Sequence, residues 1–196
     1  HQTAQEALQE ACASPENWTE LLAAIAPFYK YDFESALLIA AQRPQATACA
    51  TMRAWNRHGL WVRKGSRAIF TLHPGDPYVV RRVFDIADIN AEAERLPKLW
   101  TLQPEDMGVA LAALRQAWSL EEETDGSLQI YAAVMEAAMD SIADYRNDFQ
   151  DARASGMDAD EAEALFHTLC VNSAFCIVLH RLNMPIPEET GTAAFE

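Results

Sequence analysis

Two tryptophans, a histidine and three fixed positive charges fall between Trp55 and Gly65, in the run WNRHGLWVRKG. Cations interleaved with rings suit single-stranded nucleic acid, where the cations track phosphates and the rings stack on exposed bases at about 1–3 kcal/mol each. The run lies in a wider basic segment. Between Gln42 and Arg82 there are eight basic residues (Arg43, Arg53, Arg57, Arg63, Lys64, Arg67, Arg81 and Arg82) against one acid, Asp76, a local charge of +7 in a chain of net charge −14. Nine of the 18 aromatic residues lie between Phe28 and Phe84. The candidate binding face is therefore Arg53, Arg57, Trp61, Arg63, Lys64 and Arg67, with Tyr31 and Arg43 at its rim. A solvated face covering acidic neighbours also accounts for the cations. Trp55 equally suits the inner face of a helix. A duplex reader would need a helix carrying base-reading side chains, and no segment has that pattern.

Two other clusters could carry chemistry. The segment HTLCVNSAFCIVLH offers His167, Cys170, Cys176 and His180. At about 100° per residue Cys176 and His180 share a helical face and the other two lie opposite, so one helix cannot aim all four at one ion. Packed cysteines and ordinary histidines are the simpler reading. Asp140, Asp144, Asp148 and Asp151 fall along one helical face. Such a row could hold magnesium in a nuclease, or form a solvated face balanced by Arg146 and Arg153. Nucleophile elbows, glycine-rich phosphate loops, paired CxxC motifs and HExxH are absent from the sequence. We expect no enzyme activity, no metal and no cofactor.

These groups need a scaffold, and the composition suits one. The 196 residues are 50% hydrophobic, enough for one domain or two small ones. No stretch reads as a membrane span, no signal peptide is recognisable, and Cys12, Cys49, Cys170 and Cys176 lack disulfide-framework spacing. A cytoplasmic protein with reduced thiols and no membrane partner is expected. The chain opens at His1 and stops at GTAAFE, which reads as a piece of a longer protein. Its charge is divided: residues 1–100 hold 11 acids and 11 bases, whereas 101–196 hold 18 and 4. The acidic half could steer a strand, dock another domain of the same parent or a basic partner, or imitate DNA.

The periodicity predicts an α+β fold. Ser14 and Pro15 open a helix through Leu21, Leu22, Ile25 and Phe28, and a second runs through Leu37, Leu38 and Ala41 to a stop at Arg43 before Pro44. A third, CATMRAWNRHG, ends at Gly59. Residues 60–88 then read as a small antiparallel sheet or hairpin turning around Gly75. AERLPKLWTLQPED is a connector. Beyond it the pattern is purely helical: one stripe through Met107, Leu111, Leu114 and Trp118, a second from Ile130 to Ile142, and a last helix with Asp158 and Glu161 at capping-box spacing. The expected organisation is an α+β region, 1–100, with an acidic helical region, 101–196, packed on it.

The pieces YKY, LLIAAQRPQATA, WNRHG and VRKGSRAI, followed by RRVFDIADI, occur in an order that resembles the amino-terminal domain of ArdC-type antirestriction proteins. That domain also occurs in large conjugative-element proteins of Firmicutes. The likeness covers about residues 14–90 and departs from the family's usual run at Glu34, Ser66 and Ala68. It implies sequence-tolerant binding of single-stranded DNA in a mobile element. The zinc peptidase-like domain of that family is not implied, since its HExxH is not in this chain.

Overall fold

A computed structural model describes residues 2–118, 126–142 and 158–187. The fold is α+β, and it divides into two compact units, His1–Trp100 and Thr101–Glu196.

The first unit opens with three helices, α1 (Gln2–Ala11), α2 (Pro15–Ile25) and α3 (Phe33–Gln42), which pack on one another. Local signals fix their ends. The Ser14 hydroxyl accepts from the Asn17 N–H at 3.2 Å ahead of Pro15, and the Asp32 carboxylate accepts from the Ser35 N–H at 2.7 Å, each satisfying a first-turn donor. After α2 the chain tightens into a 3-10 turn, Ala26–Phe28. Helix α3 is buried from Ser35 to Ala40 because helices cover one side and the sheet the other. It stops at Arg43, where the residue before Pro44 leaves helical geometry. Helix α1 has no counterpart in the sequence reading.

The sheet has strands β1 (Cys49–Ala50), β2 (Ile69–His73) and β3 (Asp76–Asp85) in the order β1-β3-β2, all antiparallel. Gly75, at φ 82°, makes the hairpin turn around which the strands were expected. Between β1 and β2 lies a short helix, α4 (Met52–Arg57), with the Thr51 hydroxyl accepting from the Ala54 N–H at 3.2 Å. It ends as expected at Gly59, φ 69°. Its expected start at Cys49 is wrong: Cys49 and Ala50 pair with Asp85 and Phe84 as a strand. The Asp85 carboxylate, buried at 2% exposure, accepts from the N–H groups of Thr47, Ala48 and Ala87 at 2.9–3.0 Å and holds that approach extended. Trp55, Leu60, Phe84 and Ile89 form the core between α4 and the sheet.

The second unit contains α5 (Met107–Trp118), α6 (Gly126–Ile142) and α7 (Ala159–Leu182). Ile130 and Val134 of α6 meet Phe175 and Leu179 of α7, with Met107, Leu111 and Leu114 of α5 packed alongside. The buried Gln129 amide oxygen accepts from Arg115 Nε at 2.7 Å. Asp158 accepts from the Asp160 N–H at 3.0 Å at the start of α7, and Asn183, at φ 57°, closes its end. One expectation fails here. Ala162–Leu182 contains an 18-residue window of mean hydropathy 1.6 and, by length and composition alone, is long and apolar enough to cross a membrane, although the sequence read as having no such stretch. Its cysteines, alanines and valines raise hydropathy without forming an unbroken aliphatic run. In the structure Val171, Phe175, Cys176 and Leu179 of this helix are buried against its neighbours.

Candidate nucleic-acid interface

Helix α4 sorts its side chains by period. Trp55 turns inward, 5% exposed, and its indole N–H donates to the Phe84 carbonyl at 2.9 Å, so it belongs to the core. Arg53 and Arg57, four residues apart, share the outer face and are exposed.

The chain leaving α4 is fastened to the segment after β3. Val62 bridges Ile89, the Arg63 N–H donates to the Asp88 carbonyl, and the Asn90 N–H donates to the Trp61 carbonyl, both at 2.8 Å. In extended backbone neighbouring side chains alternate, so half-buried Val62 faces the core while Trp61 and Arg63 face outward. Trp61 is 61% exposed. The Arg63 guanidinium also donates to the Ile89 carbonyl at 3.3 Å. A turn follows in which the Ser66 N–H donates to the Arg63 carbonyl, with Gly65 at φ 91°, and Lys64 and Arg67 are exposed on either side of it.

The two rim residues have structural partners instead. Arg43 forms a forked ion pair with Asp88, at 2.6 and 3.2 Å, and this hydrogen-bonded pairing raises its pKa. Its charge is committed to a carboxylate 45 residues away, a partner no local pattern reveals. Tyr31 donates its hydroxyl proton to the Cys49 carbonyl at 2.7 Å, and burial, reinforced by Cys49, pushes the phenol up to about 12. Both residues fasten the helical layer to the sheet region.

The sequence reading missed an exposed sheet face. Phe70 of β2, 46% exposed, lies opposite Arg82 of β3, whose guanidinium sits 5.9 Å from the centre of its ring. Val80, opposite Leu72, is 62% exposed, and Tyr78 near the turn is 90% exposed. The alternation in IFTLH, with Ile69 and Thr71 buried and Phe70 outward, was the available signal. The apolar run YVV gave no hint of which side faces solvent. Beside α4 lies a cleft of about 390 Å³, lined by Ala50, Ala54, Trp55, His58, Leu60, Arg95 and Pro97.

The other candidates do not assemble. Among the described residues no three His, Cys, Asp or Glu side chains could hold one metal ion. His167, Cys170, Cys176 and His180 are spread around α7, with Cys176 buried. Asp140 is exposed on α6, and Asp144, Asp148 and Asp151 lie outside the described residues. All four cysteines are free.

What the fold and this surface define is an α+β unit displaying cations and aromatic rings, accompanied by an acidic helical unit. The chain matches no family model, no curated protein and no solved structure.

Proposed function

We propose that this chain is a sequence-tolerant single-stranded DNA-binding module of a mobile or conjugative element, without catalysis of its own, working in the cytoplasm in antirestriction or DNA transfer. The observation that carries the reading is the outward pairing of Trp61 and Arg63 on backbone fastened to residues 88–90. Exposed Arg53, Arg57, Lys64 and Arg67 lie on the same short stretch of chain. Phosphates meet the cations, bases stack on Trp61 and Phe70, and nothing in the arrangement reads base edges. The likeness to the ArdC amino-terminal domain, through WNRHG and VRKGSRAI, falls on these same residues.

A second reading rests on the 18 acids against 4 bases in residues 101–196: an interaction surface for a basic protein, or a DNA mimic. Fluorescence anisotropy separates the two. An oligonucleotide of about 20 nucleotides, single-stranded or duplex, is titrated at about 50 and 200 mM salt. The proposal expects salt-sensitive binding that favours the single strand. Absence of binding at the lower salt overturns it and leaves the acidic-surface reading.

A further inference from the structure

The cleft beside α4 is lined by buried apolar side chains together with an exposed ring and an exposed cation. Its floor is the buried pair Trp55 and Leu60, 5% and 4% exposed. Ala50, Ala54 and Pro97 are its walls, and the short side chains of the two alanines are what leave the space open. At the rim stand His58 and Arg95, an aromatic ring and a cation, both exposed. The volume, about 390 Å³, falls at the small end of the roughly 300–1,000 Å³ range of small-molecule sites.

Helical geometry ties the cleft to the cationic surface. Ala54 and Arg57 are three residues apart on α4 and so lie on adjoining parts of its surface, with Arg53 beside Arg57. Arg57 thus occupies a helix position adjoining the cleft, and Arg95 is one of the residues that line it.

We propose that this cleft takes a single nucleotide: its base lies over Trp55 and Leu60 between the two alanines, with His58 stacking or hydrogen-bonding at the open edge and the attached phosphate meeting Arg95 and Arg57. The inference rests on the single-strand reading above and deepens it, giving the strand one unstacked base held in a pocket in addition to bases stacked on exposed rings. The apolar floor grips any base by its face, so the site tolerates sequence.

The test uses the full chain and four probes, the deoxynucleoside monophosphates of A, C, G and T, with inorganic phosphate as the anion control. Trp55 indole and His58 ring resonances are followed by NMR. Saturable shifts with the nucleotides and none with phosphate are expected. Ala54→Leu, which fills the cleft with a good helix former, should abolish them and weaken oligonucleotide binding roughly five- to a hundredfold, as the loss of one stacked base would. Arg95→Ala, at an exposed position, should weaken the monophosphates more than the corresponding nucleosides, and it serves as the test if Ala54→Leu does not fold. Oligonucleotide binding without any mononucleotide response at Trp55 and His58 overturns the cleft and leaves the proposed function standing. Failure of both probes overturns both. Shifts that persist unchanged in a folded Ala54→Leu variant also place the base elsewhere.

Discussion

The Gln42 carboxamide pairs with Phe70 as a neighbouring strand would, its Nε2 donating to the Phe70 carbonyl at 2.8 Å and its Oε1 accepting from the Phe70 N–H at 3.0 Å. One side chain at the end of α3 thus occupies two backbone groups on the free edge of β2. Because those groups point away from β3, Phe70 and Arg82 form a non-hydrogen-bonded pair, the kind that brings facing side chains closest. The position of the Arg82 guanidinium over the Phe70 ring follows from this.

Gln42→Ala should therefore cost about 1–3 kcal/mol, the net worth of the two hydrogen bonds to Phe70, and leave the edge open to another chain. Urea denaturation checks the first effect and sedimentation at rising concentration the second. Gln42→Glu keeps the length but loses the amide donor, and should recover little of the loss.

Arg43→Ala should destabilise the first unit by about 1.5–3 kcal/mol, the range for hydrogen bonds to charged groups, since it leaves the Asp88 carboxylate, 11% exposed, without its partner. Arg43→Lys should restore only part of this, because an ammonium cannot reproduce the fork. DNA affinity of the folded fraction should hardly move, which separates Arg43 from the exposed cations.

Removing an exposed cation and removing an exposed ring should leave different signatures. Lys64→Ala should lower the salt slope of binding by about one and weaken all sequences alike. Trp61→Ala should leave the slope unchanged and cost about 1–3 kcal/mol of binding through lost stacking. Anisotropy at several salt concentrations distinguishes them, and equal salt slopes in the two variants would sink the division of labour proposed for this face.

His180 on α7 supplies a pH dependence. Burial lowers its pKa, and its Nε2 is buried without a hydrogen-bond partner. The folded chain thus binds the proton less readily than the unfolded one, whose histidine titrates near about 6.5. The stability linked to His180 is complete above that pH and is lost as pH falls through the lower folded value. Melting curves at about pH 7, 6 and 5 should show a loss that His180→Leu reduces; an unchanged loss would exclude the residue as its source.

The thiols should react in an order set by exposure and burial. Cys12 is exposed, whereas burial, with the nearby Asp85 carboxylate, pushes Cys49 up to about 12, far from its thiolate at neutral pH. Iodoacetamide at about pH 8 should modify Cys12 first and Cys49 far more slowly, since the thiolate is the nucleophile. Peptide mass mapping over time reads this directly.

What the sequence revealed was the local part of the design. Ser14 with Pro15, Arg43 before Pro44, Gly59 and Gly75 each mark a boundary by the conformation they favour, and the structure places helix ends and a turn there. The core position of Trp55 was one of two readings its helical setting allowed. The rest is held by distant partners. β1 is two residues long and owes its shape to Asp85, 36 positions beyond Cys49. The pairing of Arg43 with Asp88 and of Gln42 with Phe70 spans 45 and 28 positions. No periodicity encodes such contacts, and so Arg43 and Tyr31 read as surface candidates while Phe70 and Arg82, counted among the aromatics and cations, were left out of the binding face.

The bonds that join residues 61–63 to 88–90 have a consequence for how a strand would be met. Trp61 and Arg63 project from backbone that is already ordered before any ligand arrives. Little conformational entropy remains for the protein to lose on association, so this part of the surface is preorganised. Under the proposed function the adaptation would fall to the nucleic acid, whose single strand can bend, unstack and slide until its phosphates and bases find the fixed positions.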